Sequence, residues 1–190
     1  WDVIECRVDP RLIKGFKKFF TGQNYRPEWS TPVNMKVFNL RKEIGGFKIV
    51  SLGGGKQTKT LKLENNTTGK EWVLRSVNKN TLNTMPENYR GAMAKYLEPE
   101  LNTSSHPYAA LIVPELANAL DIPVAKPRLF FVPDDPAFVY YRPLFANTIC
   151  MLEENNASKD GKKTESTAKL FRQMLDDNDH RPDSQLVLKA

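Results

Sequence analysis

A glycine-rich stretch between two runs of strand-forming residues is the part of the sequence best suited to phosphate chemistry. Glycines let a backbone approach a ligand closely and leave amide groups to point at phosphate oxygens, and neighbouring lysines add positive charge. Walker and dinucleotide loops lead from a strand into a helix, whereas this stretch leads into another strand, which favours a hairpin that covers phosphates. The alternative is a tight turn that only reverses the chain. The candidate ligand-binding residues here are Gly53, Gly54, Gly55, Lys56, Gln57 and Lys59.

A second candidate is Arg75, within the strand-like run Val73-Leu74-Arg75-Ser76. A cation in the strand after such a hairpin can hold phosphate groups. An exposed strand residue or a structural ion pair explains the same arginine equally well. The following helix offers no clear glutamate to pair with Arg75, and Glu115 and His106 are imperfect candidates for that role.

The charge and the rare residue types limit the classes of function. A net charge of +6 favours an anionic partner. The lysines and arginines are scattered, without a basic stripe interleaved with aromatics, so we predict no nucleic-acid binding. The two histidines have no nucleophile or carboxylate at a telling spacing, and the two cysteines resemble small buried hydrophobic residues. We therefore predict no catalytic residue and no metal site.

The elements that would position these residues form an antiparallel meander followed by a helix and two further strands. Alternating apolar and polar residues predict strands, and Ser104 or Ser105 with Pro107 predicts the start of a helix that Pro114 would kink or split. A C-terminal helix is predicted over 167–175. The fold class is predicted as α+β, with a five-stranded antiparallel sheet and a packed helix. The predicted strands are 47–52, 58–63, 71–77, 128–133 and 145–153.

The predicted organisation has three parts. Residues 1–32 form an N-terminal extension whose aromatics pack on the main body, residues 33–154 form the main lobe, and residues 155–190 begin with a linker of flexible composition. The first residue is Trp1, and the run 184–190 is helix-like without a stop signal. We expect the chain to be a piece of a longer protein.

Several of these segments resemble the N-terminal lobe of kinase-like proteins. The order of glycine stretch, Trp72-Val73-Leu74-Arg75, 116–123 and Cys150-Met151-Leu152-Glu153-Glu154 is similar to HipA-like kinases, and the last two segments are loosely similar to CotH-type kinases. A likeness over nearly the whole chain is to an uncharacterised region of Bacteroidetes envelope proteins. Those proteins often carry a calcineurin-like phosphoesterase and a surface-antigen barrel.

The resemblance implies a protein-kinase-like N-lobe that binds ATP with magnesium. It implies that the glycine stretch and its lysines surround the phosphates, that Arg75 clamps them, and that Glu153 belongs to an acidic hinge. No catalytic loop or metal-binding aspartate follows residue 154, so we expect residues 155–190 to be the start of a missing C-lobe and this piece to turn over no substrate. The expected partners are a phosphate-bearing ligand, the rest of the chain and outer-membrane proteins, in the bacterial cell envelope.

A different class of function stays open beside that interpretation. The chain would then be a non-enzymatic interaction or scaffold module of a phosphoesterase-linked outer-membrane protein. Under that hypothesis the glycines form only a tight turn, and Arg75 affects stability or assembly without affecting nucleotide affinity.

Overall fold

The computed structural model describes residues 2–9, 19, 22–53, 57–80, 82, 85–155 and 167–176. These residues contain one sheet of seven strands. The strands are β1 Val3–Cys6, β2 Val33–Val37, β3 Phe47–Gly53, β4 Thr58–Asn65, β5 Glu71–Lys79, β6 Arg128–Val132 and β7 Thr148–Glu154. The helices are α1 Arg26–Ser30, α2 Ala92–Asn102, α3 Val113–Ala119, α4 Arg142–Phe145 and α5 Thr167–Asp176.

The strand order across the sheet is β1-β2-β6-β7-β5-β4-β3. The prediction of a five-stranded antiparallel sheet is wrong, because β1 and β2 extend the sheet at the β6 edge and β2 pairs with β6 in parallel. The sheet is therefore mixed, although the pairs among β3, β4, β5, β7 and β6 are antiparallel. The predicted kinase-like N-lobe depended on a five-stranded antiparallel sheet, so that part of the fold prediction is wrong as well.

The N-terminal part of the chain packs onto this sheet. β1 pairs with β2, and α1 places Trp29 in a buried position where its indole N–H donates to the Ser105 carbonyl at 2.8 Å. The division of the chain at residues 32 and 154 stays a prediction.

The larger hydrophobic core lies on one face of the sheet. Side chains alternate between the two faces of a strand, so Leu74 of β5 points into this core and Arg75 points away from it. The segment 136–145, which ends in α4, covers the core with Phe138 and Phe145. The buried residues of the larger core are Phe38, Leu40, Phe47, Leu61, Leu63, Leu74, Phe130, Val132, Phe138, Phe145, Cys150 and Leu152.

A smaller cluster lies on the other face of the sheet. Met35, Val77 and Ile149 form its buried part, and Tyr108 and Met151 pack against it. This face also receives the segment from Ser105 to Ala110. Because the cluster is small, part of the face around Arg75 remains open.

The connection into the β3–β4 hairpin is fixed by Asn65, which is 1% exposed. Its amide group donates to the Ile44 carbonyl at 2.8 Å, and its Oδ1 accepts from the Thr67 and Thr68 amides at 3.1 and 2.8 Å. Gly46 has φ +87°, and a Cβ there would lie 2.6 Å from the Arg41 carbonyl oxygen. Only glycine adopts this turn without strain, so the start of β3 is rigidly placed.

The helix predicted to start near Pro107 is interrupted. A 3-10 turn covers Ala109–Leu111, and α3 starts afresh at Val113 with Pro114 in its first turn. The break is expected, because proline is tolerated in a first turn and not in a helix interior. Among the described residues, no helix is both long enough and apolar enough to cross a membrane.

Candidate functional site

The predicted site residues separate onto the two faces of the sheet. Register pairs Thr60 with Arg75 and Ser76 with Cys150, so Arg75 lies on the face with Thr60 and Ser76 lies on the face with Cys150. Two clefts lie near the start of β4 and the end of β5. The two clefts adjoin, and four residues line both of them: Gln57, Thr58, Ser76 and Lys79. Gly54, Gly55 and Lys56 lie outside the described residues.

The first cleft, which we term the arginine cleft, has a volume of about 640 Å³. Its floor includes the apolar side chains of Val77 and Met151, and its opposite wall comes from Trp29 and the segment from Ser105 to Ala110. Eight of the fourteen described lining residues are polar or charged, so the cleft combines hydrogen-bonding groups with its apolar floor. The lining residues that can carry charge or donate hydrogen bonds are Gln57, Thr58, Arg75, Ser76, Lys79, Ser105, His106 and Glu153.

Arg75 is the central cation of the arginine cleft. Its Nη2 lies 3.1 Å from Glu153 Oε1, and the arginine is 49% exposed while the glutamate is 19% exposed. The two residues come from neighbouring antiparallel strands, β5 and β7, at diagonal positions on the same face. The acid that sequence reasoning sought on the following helix is therefore supplied by the adjacent strand, and Glu115 and His106 do not form this ion pair.

The opposite wall of the cleft holds His106 in a defined orientation. The Tyr108 backbone N–H donates to His106 Nδ1 at 3.1 Å. A neutral imidazole with Nδ1 as acceptor carries its proton on Nε2, so His106 retains one donor. The ring also makes an edge contact with Tyr25, with the ring centroids 5.2 Å apart. His106 is thus held by backbone and aromatic contacts beside the opening.

The second cleft, which we term the opposite cleft, has a volume of about 560 Å³ and lies on the side of Leu144 and Thr148. Gly53 and Lys59 line this cleft and are not part of the arginine cleft. Lys59 Nζ donates to the Leu144 carbonyl at 3.0 Å. This hydrogen bond places the ammonium group on the core side of the sheet. Burial raises the pKa of the Cys150 thiol, and the charge of Lys59 opposes that rise.

Gly53 has a packing role in addition to its place beside the opposite cleft. It pairs with Thr60 in the β3–β4 ladder, and a Cβ on Gly53 would lie 3.0 Å from Thr60 Cγ2. A side chain at this position would require Thr60 to shift by a few tenths of an ångström. Close packing against Thr60 therefore favours glycine here independently of any ligand.

Three residues line the arginine cleft without having been predicted as site residues: Lys79, Trp29 and Ser105. Lys79 ends β5 four residues after Arg75, and the period of two along a strand predicts that both lie on the same face. That signal could have identified Lys79. Trp29 and Ser105 are far from Arg75 along the chain, and nothing local in the sequence brings them to the cleft.

This chain matches no protein-family model, no curated protein and no solved structure in the comparisons with known proteins. They therefore add no support for the resemblance to HipA-like or CotH-type kinases. The assignment of function rests on the geometry of the arginine cleft.

Proposed function

We propose that the chain binds a phosphate-bearing ligand of the nucleotide class in the arginine cleft. The observation that carries this proposal is the half-exposed guanidinium of Arg75 on the floor of a cleft of about 640 Å³. A guanidinium has five N–H groups in a fixed fork that matches the geometry of phosphate oxygens. Within the described part of the chain its one ion pair is to Glu153, which leaves donors for a ligand.

The shape of the cleft supports a ligand with both a phosphate and a flat apolar part. Val77 and Met151 provide apolar surface next to the cation, and Lys79 and Gln57 lie towards the hairpin. A phosphate held by Arg75 near the hairpin leaves the apolar floor for a base or another ring. Lys59 has no role in this proposal because its ammonium group donates to the Leu144 carbonyl on the other face.

An interaction module is the second candidate function, and one surface favours it. Helix α3 and the residue on either side of it expose an apolar stripe of Ile112, Val113, Leu116 and Leu120, which are between 49% and 65% exposed. Residues with this spacing lie along one side of a helix, and exposed apolar surface of this kind is typical of protein contacts. Under this proposal Arg75 and Glu153 form a structural ion pair.

Replacing Arg75 by glutamine should weaken the binding of adenosine monophosphate. Charge-assisted hydrogen bonds contribute about 1.5–3 kcal/mol each, so the dissociation constant should rise roughly 10- to 100-fold. Isothermal titration calorimetry of the wild-type chain and of Arg75→Gln gives both constants. The matched control is Arg128→Gln, because Arg128 is also a strand arginine, is 48% exposed and lies near Glu43, outside the arginine cleft.

The control variant should bind the nucleotide as the wild type does. Equal loss of affinity in Arg75→Gln and Arg128→Gln would mean that only the overall positive charge attracts the ligand. No binding by the wild type to adenosine monophosphate would reject the proposal and favour the interaction module.

A further inference from the structure

The balance of charge in the arginine cleft limits which phosphate ligands it can hold. Its described lining contains two basic side chains, Arg75 and Lys79, and one carboxylate, Glu153. His106 adds a charge only when protonated. The lining is thus weakly positive, although the whole sequence has a net charge of +6. A polyphosphate with several negative charges is poorly matched to such a cleft.

Glu153 is placed where it acts directly on a ligand of Arg75. Its Oε1 is 3.1 Å from Arg75 Nη2, and only 19% of the glutamate side chain is exposed, so solvent screens the carboxylate incompletely. Charges within about 4–6 Å of one another interact strongly in proteins. A phosphate group bound by the same guanidinium would be about that distance from the Glu153 carboxylate. Each further negative charge on the ligand therefore adds to the repulsion.

We infer that Glu153 is a specificity-determining residue that makes the arginine cleft favour a ligand with a single phosphate group over a di- or triphosphate. This inference rests on the proposed binding of phosphate in the same cleft. The ion pair also holds Arg75 in place, so Glu153 both positions the cation and restricts the charge of its ligand. The ligand class is a phosphate monoester that carries a ring.

The test separates charge from position by replacing Glu153 with glutamine. Glutamine has the same shape and keeps an oxygen that can accept from Arg75, but it removes the negative charge. The matched control is Glu154→Gln, because the adjacent Glu154 pairs with Lys70 at 3.5 Å and is not part of the cleft lining. Both variants change the net charge equally and both keep the wild-type backbone pattern of β7.

Calorimetry gives the affinity of each variant for adenosine monophosphate and adenosine triphosphate, in buffer from which a chelator has removed divalent cations. The wild type should bind the monophosphate at least as tightly as the triphosphate. Glu153→Gln should bind the triphosphate about tenfold more tightly than the wild type does and the monophosphate about threefold more tightly, because the removed repulsion scales with ligand charge. Glu154→Gln should match the wild type.

Two results would overturn this inference while leaving phosphate binding intact. One is a wild type that prefers the triphosphate by tenfold or more. The other is a Glu153→Gln variant whose affinities equal those of the wild type or of Glu154→Gln. Failure of every variant to bind either nucleotide would overturn the inference together with the proposed function.

Discussion

Replacing Arg26 by alanine should lower the free energy of unfolding by about 3–5 kcal/mol, because the change leaves a buried carboxylate without its counter-charge. Glu100 is fully buried in α2, and Arg26 of α1, which is 10% exposed, pairs with its Oε2. Within the described residues Glu100 Oε1 has no hydrogen-bond partner, so the arginine is the main compensation for this charge. Chemical denaturation of both proteins gives the difference.

The matched control for this prediction is Arg142→Ala. Arg142 also forms an ion pair, with two bonds to Asp134 at 2.6 and 2.9 Å, but the arginine is 44% exposed and the aspartate 49% exposed. Solvent screens exposed ion pairs, so this variant should lose little stability. If Arg26→Ala costs no more than Arg142→Ala, the buried pair does not hold α1 in place.

The loss of the Arg26–Glu100 pair should also affect the arginine cleft. α1 carries Trp29, which lines the cleft and donates to the Ser105 carbonyl. The Tyr25 backbone N–H donates to the Thr103 carbonyl at 2.9 Å, so α1 is joined to the end of α2 at three points. The same contacts that stabilise the N-terminal part of the chain thus position one wall of the candidate site.

Truncation of Phe38 to alanine should be comparably severe, with a loss of about 3–5 kcal/mol in the free energy of unfolding. Phe38 is 0% exposed and contacts three aromatic rings, with centroid distances of 5.5 Å to Phe130 and 6.2 Å to both Phe47 and Phe138. Removal of its ring leaves a cavity among side chains that cannot all move to fill it. Denaturant unfolding followed by circular dichroism measures the change.

Tyr140→Ala is the control for the truncation of Phe38. Tyr140 is 90% exposed and lies in the segment that covers the larger core. Its truncation removes a similar number of atoms without opening a buried cavity, so a change within about 0.5 kcal/mol is expected. A loss of stability in Phe38→Ala as small as that in Tyr140→Ala would contradict the assignment of Phe38 to the core.

Four of the five strands expected from the sequence occur within two residues of their predicted bounds, because runs of strand-forming residues between turns are local signals. The strand predicted over 145–153 begins only at Thr148, because Phe145 ends helix α4. The topology around them was not predictable in the same way. β1 and β2 are short, and the parallel pairing of Lys36 with Phe130 joins residues that are far apart along the chain. Such pairing depends on long-range packing, which a short hydrophobic pattern does not encode. The observed sheet therefore has two more strands than predicted and contains one parallel pair.

The candidate site was predictable where strand alternation applies. Arg75 was predicted from its place in a strand, whereas Glu153 was named only as an acidic hinge residue implied by the kinase resemblance, and the structure brings the two together. Lys59 was grouped with them, although it shares its position in the alternation with Leu61 and Leu63, which point into the larger core. Stricter use of the same period would have placed Lys59 on the core side. The walls of the cleft required the tertiary structure.

A nuclear magnetic resonance titration of the isotope-labelled chain with adenosine monophosphate tests directly the claim that a phosphate-bearing ligand binds in the arginine cleft. We predict that the Arg75 side-chain N–H signal and the backbone amides of Ser105, His106 and Glu153 shift in a saturable manner. Shifts concentrated at Leu52, Gly53 and Asn80 of the opposite cleft, or no saturable shift, would contradict the claim.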